Sequence, residues 1–188
     1  MTHRPFLPAR LAPGLACALA ACAALPAHAH VSLEWPAALA GTAYTATFQV
    51  GHGCGASPTR QVTVEIPAGV HGARPMPRPG WTVAIDRAPL ATPVVHHGKP
   101  VTEDVVRITW TANTPADALD TAHYGEFVLR ARLPQAPGPV YWPVRQVCAE
   151  GRHDWVQVPA PGLKAAALQA PAPVLDILPA GDAAGHSH

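Results

Sequence analysis

Proline decides what this chain can fold into: 23 of its 188 residues are proline, with 15 glycines among them. A proline inside a helix removes a hydrogen bond and clashes with the preceding turn, at about 3 kcal/mol or more. The stretches between prolines instead alternate apolar and polar residues, as half-buried strands do. Tyr44, Ala46, Phe48 and Val50 fall on one face of such a stretch, with Thr45, Thr47 and Gln49 on the other. Val31 to Trp35, the run through Val62, Val64 and Ile66, Trp81 to Ile85, Val105 to Trp110, Phe127 to Leu133, Tyr141 to Cys148 and Trp155 to Val158 complete the set. About eight strands with frequent turn residues and no helical periodicity predict an all-β fold, an antiparallel β-sandwich of immunoglobulin-like or cupredoxin-like style.

The first 29 residues read differently. Arg4 and Arg10 form a basic start, Leu11 to Leu25 is an apolar run, and Ala27-His28-Ala29 places small residues where a leader peptidase reads. The expected organisation is a signal peptide over 1–29, a sandwich domain over 30–160, and an Ala/Pro-rich segment with a histidine-containing tail over 161–188. Pro171 to Pro179 has room for one last strand. Cleavage after Ala29 makes His30 the first residue and places the domain outside the cytoplasm, in the periplasm. An alternative is lipoprotein processing at Leu19-Ala20-Ala21-Cys22, which leaves His30 inside a linker.

Cysteine usage agrees with export. Cys17 and Cys22 leave with the leader, and Cys54 and Cys148 remain as an even pair in an oxidising compartment. A disulfide between them closes a loop of about a hundred residues, worth up to roughly 4–5 kcal/mol in the chain-entropy model. The alternative is two buried free thiols.

Charge excludes one class of partner. The formal net charge is +1, and loss of the leader's two arginines takes it to −1. Nucleic-acid binding requires clustered Lys and Arg on one face, and nothing in this composition suggests such an electrostatic grip. Phosphate-binding glycine loops, Gly-x-Ser-x-Gly and His-Glu-x-x-His are also absent from the sequence.

His30 is the most informative residue. Once freed by cleavage, its α-amine and imidazole Nδ1 can close a chelate ring on one metal ion. The amine's ordinary pKa of about 7.7–8 makes deprotonation cheap near neutrality, at about 1 kcal/mol or less. Nitrogen donors of this kind favour Cu(II) among divalent first-row ions. The alternative is that the leader simply ends there. His52, in the glycine loop two residues before Cys54, is a second imidazole candidate or a plain surface histidine. Glu34 lies on the same strand face as His30, but roughly 13 Å along it, too far to share an ion. His96-His97 and the terminal His186 and His188 are exposed histidines able at most to capture metal weakly. Tryptophans such as Trp155 read as core packing.

Several segments together resemble the YcnI-like family of exported copper-binding proteins. They are His30-Val-Ser-Leu-Glu, Val50-Gly-His-Gly-Cys-Gly-Ala-Ser-Pro-Thr, Met76-Pro-Arg-Pro-Gly-Trp-Thr, Gly98-Lys-Pro-Val-Thr-Glu, Tyr124-Gly-Glu-Phe and Tyr141-Trp-Pro-Val-Arg-Gln-Val-Cys, with Gly151 and Trp155 downstream. The resemblance runs in order from His30 to Pro159. It implies a β-sandwich holding one Cu(II) through the amine and imidazole of His30, with Trp155 beside the metal. The glutamate that completes the family's site has no clean counterpart, because the loop reads Gly51-His52-Gly53-Cys54 here. His52 is the expected substitute, in what looks like a cysteine-containing branch of the family.

The resemblance implies a copper carrier that serves a membrane copper transporter or another periplasmic copper chaperone, not an enzyme. Two alternatives stand beside it: a copper oxidoreductase with a histidine brace, and a metal-free envelope interaction module.

Overall fold

The computed structural model describes residues 30–96, 99–160 and 168–180. Residues 1–29, read above as a leader and carrying Cys17 and Cys22, lie outside the described residues, as do His97, His186 and His188.

Twelve strands run through the described chain. They are β1 (Ser32–Leu33), β2 (Ala37–Leu39), β3 (Ala43–Val50), β4 (Thr59–Glu65), β5 (His71–Pro75), β6 (Trp81–His96), β7 (Lys99–Ala112), β8 (Gly125–Arg132), β9 (Gly138–Tyr141), β10 (Val144–Cys148), β11 (Arg152–Trp155) and β12 (Val174–Leu178). One sheet has the order β1-β3-β8-β5 and the facing sheet the order β11-β10-β4-β7-β6. A third, small sheet sets β12 between β2 and β9, parallel to the first and antiparallel to the second.

The core follows from alternation. Tyr44, Ala46, Phe48 and Val50 on β3 and Phe127, Leu129 and Ala131 on β8 point inward, and Val62, Val64, Ile108 and Trp110 meet them from the other sheet. The aromatic rings pack edge to face, a favoured geometry for their quadrupoles: Trp81 on Phe127 at 5.1 Å between centroids, Trp110 on Phe127 at 5.8 Å and Phe48 on Trp142 at 5.6 Å. Polar atoms carried into this interior are mostly matched. The Trp110 indole donates to the Met76 carbonyl, and Tyr44 Oη donates to the Trp35 carbonyl at 2.6 Å. Burial, then the nearby Glu34 charge, pushes the Tyr44 phenol up to about 12. Buried Asp104 accepts from His71 Nδ1 and from the amides of Gly72 and Val105, fastening β5 to the start of the inward-facing part of β7.

The expected sandwich is present, with more strands than the eight expected. The Tyr141–Cys148 run divides at Pro143, which has no N–H for a ladder, so β9 and β10 join different sheets. The strand expected over Trp155 to Val158 lies earlier and ends at Trp155. Trp81 to Ile85 and Val105 to Trp110 are parts of one long hairpin, paired from Trp81↔Ala112 out to His96↔Lys99. Pro89 and Pro93 fit there because β6 is an edge strand whose outer side needs no ladder.

Candidate metal site

One end of the sandwich gathers three histidines and a tryptophan. His30 enters just ahead of β1, where Val31 and Leu33 are buried and β1 pairs with β3 through Ser32↔Gln49 and Leu33↔Phe48. Its imidazole stands edge-on to Trp155, with ring centroids 5.2 Å apart and planes at 81°. Since β1 and β11 are the outer strands of facing sheets, this contact joins the two layers at their edge.

Trp155 ends β11 and is buried. His153, two residues earlier, shares its strand face, as alternate residues do. The two rings lie 5.1 Å apart with planes tilted by 32°. His153 in turn meets His52 edge-on at 5.9 Å. The structure thus strings together His30, Trp155 and His52, the residues that the resemblance points to, through His153, which sequence reasoning did not single out. Its only signal was the spacing of two from Trp155 within a strand.

Gln146 on β10 fixes this end. It is 1% exposed, and its amide satisfies three groups. Nε2 donates to the His52 carbonyl at 2.6 Å and to Thr59 Oγ1 at 2.7 Å, while Oε1 accepts from the Trp155 indole N–H at 3.4 Å. Each partner atom is thereby paired, which matters because an unpaired buried polar group costs about 1–3 kcal/mol.

The disulfide is a second tie to the same strand. Cys54 and Cys148 are bonded, with Cα atoms 6.0 Å apart and a sequence separation of 94. His52 and Gln146 each lie two residues before one of these cysteines, so the covalent link and the amide link clamp the same loop onto β10. Cys54 and Ser57 exchange both backbone hydrogen bonds. Gly53 lets that turn close: a Cβ there would sit 2.0 Å from the Ser57 carbonyl oxygen.

The ring nitrogens of the two imidazoles differ in their partners. His52 Nδ1 contacts the Gly53 carbonyl at 2.5 Å. A carbonyl only accepts, so Nδ1 carries the proton and the neutral ring keeps its lone pair on Nε2. Burial, then the His52 charge, lowers the His153 pKa against the opposing pull of Asp154, which favours the neutral, ligand form. His153 Nε2 is buried and has no hydrogen-bond partner among the described residues. Among the described residues, no three His, Cys, Asp or Glu side chains form a group able to hold a metal ion. Cys54 is removed as a thiolate donor by its disulfide. Glu34 is exposed, and its backbone amide donates to the Thr47 carbonyl.

Comparison with known proteins agrees with this architecture. A crystal structure of an uncharacterized protein from Nocardia farcinica, which reveals an immunoglobulin-like fold, matches with TM-score 0.60 and 28% identity, covering 79% of this chain and 97% of that one. A membrane-anchored protein from Corynebacterium diphtheriae aligns with TM-score 0.41 and 9% identity, covering 79% of this chain and 33% of that one. No curated protein matches the sequence. The family model described as domain of unknown function, DUF1775, matches residues 30–177. No helix among the described residues is long and apolar enough to cross a membrane.

Proposed function

This chain belongs to the DUF1775 family, which is that of the YcnI-like proteins, and on that premise we propose that it is an exported Cu(II)-binding protein whose mature chain begins at His30. In this reading it is a periplasmic copper carrier that delivers its ion to a membrane copper transporter or another periplasmic copper chaperone. The observation that carries the reading is the His30–Trp155 contact. It sets the one residue able to offer both an amine and an imidazole against a buried indole, at the end of the sandwich where His52 is also held.

The donor set suits the ion. In the uncleaved chain the His30 nitrogen is an amide, and the described side chains alone supply no three-donor group. Cleavage adds a main-chain amine to the set and so couples copper binding to export. Nitrogen-rich sites of this type prefer Cu(II) to the other divalent first-row ions. Placing His30 at the start of the domain is supported by the family match, which also begins at residue 30.

The test is calorimetric titration of Cu(II) into the processed protein and into a version with one glycine inserted ahead of His30. The reading expects one tight equivalent in the first and its loss in the second. Equal affinity in both defeats it.

A second reading, a metal-free envelope interaction module, is favoured by the lack of a three-donor side-chain group among the described residues and by the immunoglobulin-like fold. Processed protein that gives up all copper to a moderate chelator would support it.

A further inference from the structure

We propose that His52 and His153 form a second metal site, distinct from the brace at His30, which holds a monovalent d10 ion, Cu(I), between two imidazoles. This goes beyond the Cu(II) reading and does not require it, because neither nitrogen depends on cleavage of the leader.

The spacing supports it. An imidazole nitrogen lies about 1.2 Å from its ring centre and a metal–nitrogen bond is about 2.0–2.1 Å, so two imidazoles on one ion have centres about 5.3 Å apart at a tetrahedral angle and about 6.5 Å apart when linear. The observed 5.9 Å lies within that range. With two imidazoles as its donors, the pair suits an ion of low coordination number. Zinc in closed sites takes four ligands, and Cu(II) takes tetragonal sets. The described residues supply no third side-chain donor to make up either.

Each imidazole offers a nitrogen. The His52 proton is committed to the Gly53 carbonyl through Nδ1, which leaves Nε2 as a lone-pair donor. His153 Nε2 is buried with no hydrogen-bond partner among the described residues. Such an atom costs folding free energy unless something occupies its lone pair or its proton finds an acceptor. An ion shared with His52 would supply the missing partner.

The site is also preorganised. Gln146 and the disulfide hold the His52 loop to β10, and His153 is registered opposite Gln146 on the neighbouring strand. Trp155 packs against the His153 ring and limits its rotation. Little side-chain order remains to be lost when an ion arrives.

The experiment uses the full chain with residues 1–29 retained, the soft thiols there removed by Cys17→Ser and Cys22→Ser, and the Cys54–Cys148 disulfide formed, so that no terminal amine is available at His30 and no free thiol competes for the ion. Silver ion serves as a redox-silent probe followed by NMR of the imidazole resonances, and Cu(I) is titrated anaerobically in competition with bicinchoninate. The first equivalent of silver should shift His52 and His153 together. His52→Ala and His153→Ala should each weaken Cu(I) at least tenfold, whereas His123→Ala, a change at an exposed histidine elsewhere, should leave it unchanged. His153→Gln, which keeps polarity and bulk, should behave as His153→Ala does, separating ligand loss from misfolding. If the two imidazoles do not respond to the first equivalent, or if His153→Gln retains wild-type Cu(I) affinity, the proposal is overturned. Loss of Cu(II) binding on extension ahead of His30 bears on the brace alone and leaves this result standing.

Discussion

Trp155 and His30 meet ring edge to ring face 5.2 Å apart, the first described residue against the last residue of β11. The contact closes the end of the sandwich where the sheets would otherwise part. Trp155→Ala removes a buried indole and is expected to cost about 3–5 kcal/mol, the range for large-to-small aromatic changes. Trp155→Phe keeps a ring there and loses the N–H to Gln146, for about 1 kcal/mol. Urea unfolding followed by circular dichroism distinguishes the two.

Gln146 has a larger effect than its size implies. Gln146→Leu conserves approximate bulk but strands the Trp155 N–H and unties the His52 carbonyl and the Thr59 hydroxyl. The expected loss is about 2–4 kcal/mol, since each stranded buried group costs about 1–3 kcal/mol. Amide exchange should accelerate in residues 51–57 ahead of the rest of the protein. Wild-type protection in that loop would show that Gln146 does not hold it.

Reduction of the Cys54–Cys148 bond, or the double change Cys54→Ser with Cys148→Ser, should lower stability by about 2–5 kcal/mol. Gln146 remains as the other tie between loop and strand. The reduced protein should therefore keep its sheet circular dichroism at low temperature and unfold earlier on heating. Coincident melting of oxidised and reduced protein would contradict the assignment.

His153 gives the fold a pH dependence of known sign. Its folded pKa is lowered from about 6.5, by burial first and by His52 second. The unfolded chain therefore binds the proton more readily. The associated stability is present above about pH 6.5 and is lost as pH falls through the window between that value and the lower folded pKa. With metal removed by a chelator, the melting temperature should drop between pH 7.5 and pH 5.5, and His153→Gln should reduce the drop. An equal drop in both proteins would place the titration elsewhere.

The sandwich was legible because its inward residues alternate cleanly, as Phe127, Leu129 and Ala131 do on β8. The disulfide was legible because Cys54 and Cys148 are the two cysteines left once residues 1–29 are read as a leader. What escaped has physical reasons. β5 reads His-Gly-Ala-Arg-Pro with Ala73 alone buried, and β2 reads Ala-Ala-Leu, so neither carries a period of two. The long β6–β7 hairpin was hidden by prolines that an edge strand tolerates. At the site, His30 and His52 stood out through their neighbours in sequence, an expected cleavage pattern and a glycine loop. His153 acquires its role only when β10 and β11 pair, which brings a residue from each side of the Gly151 turn to one face.

The small third sheet has a consequence for the order of assembly. β12 lies between β2 and β9, so a segment near the end of the domain must slot beside one near its beginning. Contacts this distant in sequence form late. A chain that emerges N-terminus first during synthesis cannot complete that layer until residue 178 is out, although every strand of the two larger sheets precedes it.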